Sequence, residues 1–225
     1  MALAAGVDVG GTKFLGVVVA DDEVIAEVRR PTPRGDDAIV AQLAEVVDEL
    51  VAAHPSVATV GFGLPGLITA AGVVVASPNL PGVEHLDVAG RVGERLGRPV
   101  RVGNDATCAA LAEWRLGAGR GVNDMVMVTL GTGIGGGVVA DGRLLVGAHG
   151  FTGEFGHMVV DPTGPPCPCG RRGCWERYAS GTGMAHLARV AGYGGEGVRG
   201  EDVLDGARAG DERALAVVDE FARWV

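Results

Sequence analysis

The chain has 225 residues, of which 47% are hydrophobic, so it is long enough to form one large domain or two small domains with buried cores. Its 19 basic and 28 acidic residues give a formal net charge of −9, which repels nucleic acids and anionic membranes and leaves no basic surface for either. A phosphate ligand must therefore be held by backbone dipoles, a few placed cations or a metal ion.

The N-terminal segment VDVGGTKFLGVVVADDEVI, residues 7–25, predicts two strands joined by a glycine turn. Backbone N–H groups of such a turn can approach an anion closely because no Cβ stands in the way. Asp8, just before the turn, could hold Mg²⁺ directly or through water, and Lys13 could place a positive charge beside phosphates. Either residue could instead be an ordinary turn or surface residue. The opening residues have no basic start and meet Asp8 too early for a signal peptide, so we expect a cytoplasmic protein with reduced cysteines.

An amphipathic helix is predicted next, within residues 35–55 and ending before Pro55. Its apolar residues recur at helical spacing: Ile39, Leu43, Val46, Val47 and Leu50. Residues 57–83 carry no formal charge, but their prolines and glycines argue against a membrane-spanning helix and favour buried strands. Asn79, in the turn-rich SPNLPG, could hydrogen-bond a hydroxyl ligand or simply form a turn. Strands therefore alternate with helices, which predicts an α/β fold.

Asn104 and Asp105 stand between the predicted strand PVRV and a helix that starts near Ala106. Both residue types favour helix caps, which is one interpretation of the pair. A carboxylate at this junction also faces the cleft side of an α/β sheet, where the helix N-terminus helps keep it ionised. Asp105 is therefore a candidate catalytic base as well as a cap. Cys108, on an apolar face of the same helix, is expected to serve ordinary packing.

A second glycine turn lies in VTLGTGIGGGVVADGRLLV, residues 128–146. Gly131, Gly133 and Gly136 fit the dinucleotide pattern G-x-G-x-x-G, but the residues that follow predict a hairpin and not the helix which that pattern requires. Residues 7–10 align with 128–131, and residues 16–18 with 137–139, which indicates an internal duplication. We therefore expect two lobes that face one phosphate chain across a cleft, with residues 1–117 in the first lobe and 118–225 in the second.

Three of the four cysteines fall in CPCGRRGC, as Cys167, Cys169 and Cys174. Cysteines spaced by glycine and proline turns in a reducing compartment are typical of tetrahedral zinc sites, and His157 is the nearest candidate for the fourth ligand. Four protein ligands leave no open position, so the metal's role would be structural. The alternative is a chance cluster of reduced thiols. Glu154 and Glu176 flank the ligands, either as carboxylates fixed by the metal or as solvent-exposed acids.

The segments DVGGTK, GNDA, LGTGIGGG, GEFGH and CPCGRRGCWE occur in this order within residues 7–183. Together they resemble the ROK family of sugar kinases, sugar-responsive repressors and open reading frames, and most closely its bacterial glucokinases. The resemblance implies an actin-like, ribonuclease-H-type α/β fold in which ATP and a sugar meet between two duplicated lobes. It further implies phosphoryl transfer from ATP to the 6-hydroxyl of glucose, with Mg²⁺ as cofactor.

The resemblance also implies roles for the residues that match its motifs. Asp105 would be the catalytic base. The nucleotide phosphates and Mg²⁺ would be bound by Asp8, Gly10, Gly11, Thr12, Lys13, Gly131, Thr132 and Gly133. The hexose would be lined by Asn79, Asn104, Asp105, Glu154, His157 and Glu176. A structural Zn²⁺ would be held by His157, Cys167, Cys169 and Cys174.

Other activities within the family stay open from the residues alone: kinases for fructose, mannose or N-acetylmannosamine, and polyphosphate in place of ATP. A non-catalytic sugar-sensing regulator would carry a helix-turn-helix ahead of the sugar domain, whereas here a strand is predicted within a few residues of Met1. Family members continue past this length with a glycine motif around adenine and a final helix, so we expect either a truncated chain or a reduced nucleotide pocket. The family habit implies a homodimer or homotetramer.

Overall fold

A computed structural model of the chain describes residues 3–225. The chain forms two compact units: the first comprises Met1–Val126 and Gly137–Thr152, and the second comprises Met127–Gly136 and Gly153–Val225. These bounds differ from those of the lobes expected at residues 1–117 and 118–225, which remain a prediction. None of the helices in residues 3–225 has both the length and the apolar character needed to cross a bilayer.

The first unit is built on a five-stranded sheet with the order β3-β2-β1-β4-β8. Its strands and helices are, in chain order, β1 (Leu3–Val9), β2 (Lys13–Ala20), β3 (Glu23–Pro31), α1 (Asp36–Ala53), β4 (Val57–Leu64), β5 (Leu67–Ile68), β6 (Val73–Ala76), β7 (Glu84–Asp87), α2 (Val88–Leu96), β8 (Arg101–Asn104) and α3 (Asp105–Leu116). Strands β5, β6 and β7 form a small antiparallel sheet of their own. The uncharged residues 57–83 therefore contain strands, as predicted.

The core of the first unit lies between α1 and the sheet. The apolar residues that predicted α1 are all buried, and they pack with alternate residues of the strands; this set includes Ile39, Leu43, Val46, Val47, Leu50, Val7, Val9 and Phe14. An ideal Cβ on Gly16 would lie 2.5 Å from Cγ1 of Val46. The glycine in β2 therefore allows the helix to pack closely on the strand.

Parallel pairing aligns the carboxyl ends of three strands. β1 pairs with β2 antiparallel but with β4 parallel, and β4 pairs with β8 parallel. Asp8 is opposite Gly63 in this register, and Leu64 is opposite Asn104. In open α/β sheets this carboxyl edge is where ligands bind. The sheet thus carries Asp8 and the Asn104–Asp105 junction to one edge.

The second glycine segment forms a hairpin, as predicted. Strands β9 (Met125–Leu130), β10 (Ile134–Ala140) and β11 (Arg143–Leu145) make a sheet with the order β11-β10-β9. A strand and not a helix follows the glycines, so the dinucleotide interpretation fails for the structural reason expected from the sequence. The tip of this hairpin, residues 127–136, belongs to the second unit.

The rest of the second unit is a glycine-rich loop followed by helices. A short 3-10 helix (Phe155–His157) precedes the cysteine segment, and then come α4 (Glu176–Ala179), α5 (Gly181–Val190), α6 (Gly200–Arg208) and α7 (Glu212–Ala222). The last three helices enclose a small core of Met184, Ala188, Val203, Ala214 and Val217. The helical pattern predicted for the final residues is confirmed by α7.

Cys108 is exposed, but its side chain also packs beside the sheet: an ideal Cβ on Gly103 would lie 3.1 Å from its Sγ, and one on Gly63 would lie 3.8 Å from it. The buried face of α3 consists of Ala106 and Ala110. Leu111 and Leu116 on the same helix are exposed as well. The apolar pattern of α3 therefore does not mark its buried side.

Candidate active site

The candidate base Asp105 is half-buried at the N-terminus of α3. Asn104 caps this helix, because its Oδ1 accepts a hydrogen bond of 2.9 Å from the N–H of Thr107. The Oδ1 of Asp105 accepts a bond of 2.8 Å from the N–H of Ala106, which fixes the carboxylate against the backbone. The cap predicted at this junction is thus confirmed for Asn104. Asp105 follows it as a carboxylate at the sheet edge.

Two carboxylates at this edge influence each other. Burial raises the pKa of Asp105 above its ordinary value of 3.8, the Ala106 N–H opposes the shift, and the negative charge of Asp8 adds to it. Partial desolvation also raises the pKa of Asp8, while the positive charge of Lys13 lowers it. A raised pKa in a carboxylate that ionises near a second acid is typical of functional sites.

The first glycine turn, residues 10–13, lies beside these acids. The N–H of Gly10 donates to the carbonyl of Lys13 at 2.9 Å, and residues 11–13 are exposed. An ideal Cβ on Gly11 would lie 3.0 Å from the carbonyl oxygen of Asn79. Asn79 is therefore next to the glycine turn, on an exposed loop. Asn104 is tied to a neighbouring loop through a 3.1 Å bond from its Nδ2 to the carbonyl of Gly66.

The second glycine turn, residues 131–133, is fixed by Glu176 within the second unit. The Oε2 of Glu176 accepts a bond of 2.8 Å from the N–H of Ile134. An ideal Cβ on Gly133 would lie 2.4 Å from the same oxygen, so only glycine leaves room for the carboxylate. Glu176 was predicted to be a hexose ligand, and its carboxylate also supports the turn predicted to bind phosphates.

The four predicted metal ligands lie together. The donor atoms of His157, Cys167, Cys169 and Cys174 are all within 4.8 Å of one another. The distance from Cys169 Sγ to Cys174 Sγ is 3.6 Å, and Cys167 Sγ is 3.6 Å from His157 Nδ1. A tetrahedral zinc ion with Zn–S bonds of about 2.3 Å separates its ligand atoms by about 3.6–3.8 Å. The residues therefore fit a tetrahedral Cys₃His site, and the cysteines are too far apart for a disulfide.

The metal-binding loop also carries Glu154 and Glu176, two of the residues predicted to line the hexose. Nε2 of His157 lies 3.8 Å from Oε2 of Glu154, while Nδ1 faces the cysteines. An open cavity of about 280 Å³ is lined by Glu154, His157, Met158, Cys169 and Arg171. A carboxylate on the second nitrogen of a metal-binding histidine is a common way to orient the ring. Burial, with the neighbouring thiols, raises the pKa of Cys174 to about 12. A metal cation bound by these thiols would favour their deprotonated form.

The metal loop depends on a glycine that has no room for a side chain. Gly173 has φ +62°, and its ideal Cβ would lie 1.5 Å from the carbonyl oxygen of Asp161. We expect Gly173→Ala to displace Cys174 and to lower the bound zinc, measured by atomic absorption, to a small fraction of wild type. Gly170→Ala is the matched control: φ there is also positive, at +88°, but nothing lies within 4 Å of the added methyl. Equal zinc content in both variants would contradict this prediction.

Several residues that hydrogen-bond to the two glycine turns, residues 10–13 and 131–133, were not indicated by any sequence motif. Thr32 donates from its hydroxyl to the carbonyl of Gly10, and Thr182 donates from its hydroxyl to the carbonyl of Thr132. Ser180 is almost fully buried between Glu176 and Thr182. Neither threonine is in a segment with a recognisable pattern, and each meets its partner across a long stretch of sequence.

The sheet order, the glycine turns and the acidic carboxyl edge are those of an α/β protein with the actin-like ATPase fold. The pattern of the ROK family matches residues 4–225, and the chain belongs to this family.

Two relatives and one solved structure illustrate the similarity. The glucokinase of Thermotoga maritima is 39% identical over 241 aligned residues, which cover 98% of this chain and 75% of the relative. The N-acetylmannosamine kinase of Citrobacter koseri is 40% identical over 223 residues, covering 97% of this chain and 74% of that protein. The crystal structure of a ROK family glucokinase from Streptomyces griseus, in complex with glucose and AMPPNP, superimposes with a TM-score of 0.83 at 35% identity, covering 99% of this chain and 76% of that one.

Proposed function

We propose that this chain is an ATP-dependent glucokinase that transfers the γ-phosphoryl group of ATP to the 6-hydroxyl of glucose. The observation that carries the proposal is Asp105, a half-buried carboxylate anchored at a helix start on the same sheet edge as Asp8 and the first glycine turn. The similarity to glucokinases supports glucose as the acceptor.

Asp105 would accept the proton of the sugar hydroxyl as that oxygen attacks the γ-phosphorus. Its bond to Ala106 holds one carboxylate oxygen in place, so the group needs little reorganisation during the reaction. The raised pKa makes it a stronger base than an ordinary aspartate. The residues that the family motifs assign to the hexose would hydrogen-bond the other sugar hydroxyls: Asn79, Asn104, Glu154, His157 and Glu176.

The phosphates would be bound by N–H groups of the two glycine turns, with Lys13 contributing a positive charge. Asp8 would hold Mg²⁺, whose chemistry when bound is to offset negative charge on the phosphates. A zinc ion on His157 and the three cysteines of the loop would keep Glu154 and Glu176 in place without touching the substrates.

We also propose a cytoplasmic location, a homodimer or homotetramer, and two lobes at residues 1–117 and 118–225, on the basis of the family resemblance and the free cysteines.

An N-acetylmannosamine kinase is the second candidate, because the Citrobacter koseri relative is as similar in sequence as the glucokinase. The two substrates differ at C2 of the ring, where N-acetylmannosamine carries an acetamido group of the opposite configuration in place of the glucose hydroxyl. Such a difference is decided by a few contacts in the sugar site.

A phosphorylation assay separates the candidates. The chain is incubated with Mg·ATP and, in turn, with glucose, mannose, fructose, N-acetylglucosamine and N-acetylmannosamine, and ADP release is coupled to a spectrophotometric signal. We expect the highest kcat/KM with glucose. Preference for N-acetylmannosamine would transfer the assignment to the second candidate. Sugar binding without any transfer would overturn the kinase proposal and favour a sugar sensor.

A further inference from the structure

Both glycine turns are held by hydrogen-bond donors from outside their hairpins. At the first turn, Oγ1 of Thr32 donates to the carbonyl of Gly10 at 2.6 Å, and the N–H of Thr32 donates to the carbonyl of Thr12 at 3.0 Å. Thr32 stands between two prolines, which restrict the local backbone. A single threonine thus binds two carbonyls of the turn.

The second turn has the same kind of support. Thr182 donates to the carbonyl of Thr132 from its N–H at 3.3 Å and from its Oγ1 at 3.1 Å. The preceding residue, Gly181, donates from its N–H to the carbonyl of Gly131 at 2.8 Å. The first two N–H groups of α5 are therefore both used to hold carbonyls of the turn.

The geometry of the peptide bond means that these hydrogen bonds also set the direction of neighbouring N–H groups in the turns. In a planar trans peptide, the carbonyl of one residue and the N–H of the next point in opposite directions, and residues 3–225 contain no cis peptide. Holding the carbonyls of Gly10, Gly131 and Thr132 therefore directs the following N–H groups away from the threonines. Those groups belong to Gly11, Thr132 and Gly133, and within residues 3–225 none of them donates to another group.

The buried hydroxyl of Ser180 lies beside Thr182 and holds the chain on either side of it. Oγ of Ser180 donates to the carbonyl of Glu176 at 2.6 Å, accepts from the N–H of Gly183 at 3.0 Å and lies 2.9 Å from Oγ1 of Thr182. The carboxylate of Glu176 also accepts from the N–H of Ile134, so residues 176–182 support the turn at Gly131, Thr132 and Ile134.

We propose that Thr32 and Thr182 are positioning residues for nucleotide binding: each holds the carbonyls of one glycine turn so that the turn's free N–H groups face the phosphates. The inference rests on the proposed function, because it takes ATP as the ligand of the turns. It applies to each unit separately and requires no contact between a threonine and the nucleotide.

The test compares Thr32→Val and Thr182→Val with Thr163→Val, because the hydroxyl of Thr163 donates to Asp161 at 2.8 Å and not to a carbonyl of either turn. Valine keeps the shape and the backbone N–H but removes the hydroxyl. At Thr32 this frees the Gly10 carbonyl completely, and we expect nucleotide affinity to fall about five- to tenfold. At Thr182 the backbone N–H still holds the same carbonyl, so we expect a fall of about two- to threefold.

Affinities for AMPPNP and for glucose are measured separately by titration calorimetry, followed by KM for ATP and kcat. The proposal predicts weaker AMPPNP binding and a higher KM for ATP, unchanged glucose affinity, wild-type behaviour of Thr163→Val, and recovery in Thr32→Ser and Thr182→Ser. A general loss of folding would lower glucose affinity as well and would not be repaired by serine. Equal AMPPNP affinity in wild type and both valine variants would overturn the positioning role alone. A wild-type chain that binds AMPPNP but phosphorylates no sugar would overturn the proposed function and leave the positioning role standing, whereas one that binds no nucleotide would overturn both.

Discussion

Replacing Asp105 by asparagine is expected to lower kcat for glucose phosphorylation by about 10²–10⁴-fold, the usual contribution of a general base. Asparagine keeps an Oδ1 that can accept the Ala106 N–H bond, so the start of α3 should be unchanged. Glucose affinity, measured by calorimetry without nucleotide, should stay close to wild type. Asp87→Asn is the matched control, because Asp87 is also an aspartate at the start of a helix, α2, but is separate from the proposed base. Asn104→Asp is unsuitable as a control because Asn104 caps α3. Turnover of Asp105→Asn near that of wild type would remove Asp105 from its role.

The raised pKa of Asp105 gives this variant a second, pH-dependent signature. Because the folded chain holds this proton more tightly than the unfolded chain, the contribution of Asp105 to stability is favourable at low pH and is lost as pH rises through its folded pKa. At neutral pH the ionised carboxylate therefore destabilises the fold. Asp105→Asn should have a higher Tm than wild type at pH 7, and the difference should shrink as pH falls toward 3.8. A difference that does not change with pH would show that burial does not perturb this carboxylate.

Loss of the metal centre is the second large effect. We expect the purified chain to hold about one zinc ion, and Cys174→Ser to hold almost none, because a tetrahedral site cannot be completed by three ligands of this loop. Glu154, His157 and Glu176 all lie on the chain that the metal fixes. Losing two or more of the hydrogen bonds proposed between these residues and the sugar should weaken glucose binding by about 10²-fold or more.

Cys108→Ser is the matched control for metal content. Cys108 is the remaining cysteine, it is exposed, and it belongs to the first unit, so its replacement should leave the zinc content unchanged. Chelation by a strong competitor should reproduce the effect of Cys174→Ser, and added zinc should reverse it. Glucose affinity that survives complete removal of zinc would contradict a structural role for the metal.

Local patterns account for the parts of this molecule that could be predicted from its sequence. The apolar spacing of α1, the glycine hairpins and the cysteine cluster each arise from residues close together in the chain, and each is present in the structure. Thr32 and Thr182 could not be found in this way, because their hydroxyl bonds span 22 and 50 residues. Exposure of Cys108 was also missed, because the small residues on the buried side of α3 give a weak apolar signal. The hydrogen bond from the N–H of Ile134 to Glu176 could not be predicted either, because these residues are 42 positions apart in the sequence.

The division into two compact units constrains when each unit can finish folding during synthesis on the ribosome. The chain leaves the first unit after Val126, returns to it at Gly137 and leaves it again after Thr152. A nascent chain halted before residue 137 therefore lacks part of the first unit, although it already contains the hairpin tip that belongs to the second. N-terminal domains commonly fold first during synthesis, but here the first unit cannot be complete until residue 152 has emerged. No single cut in the gene separates the two units, so a fragment that contains only one of them must be made by joining segments that are not adjacent in the sequence.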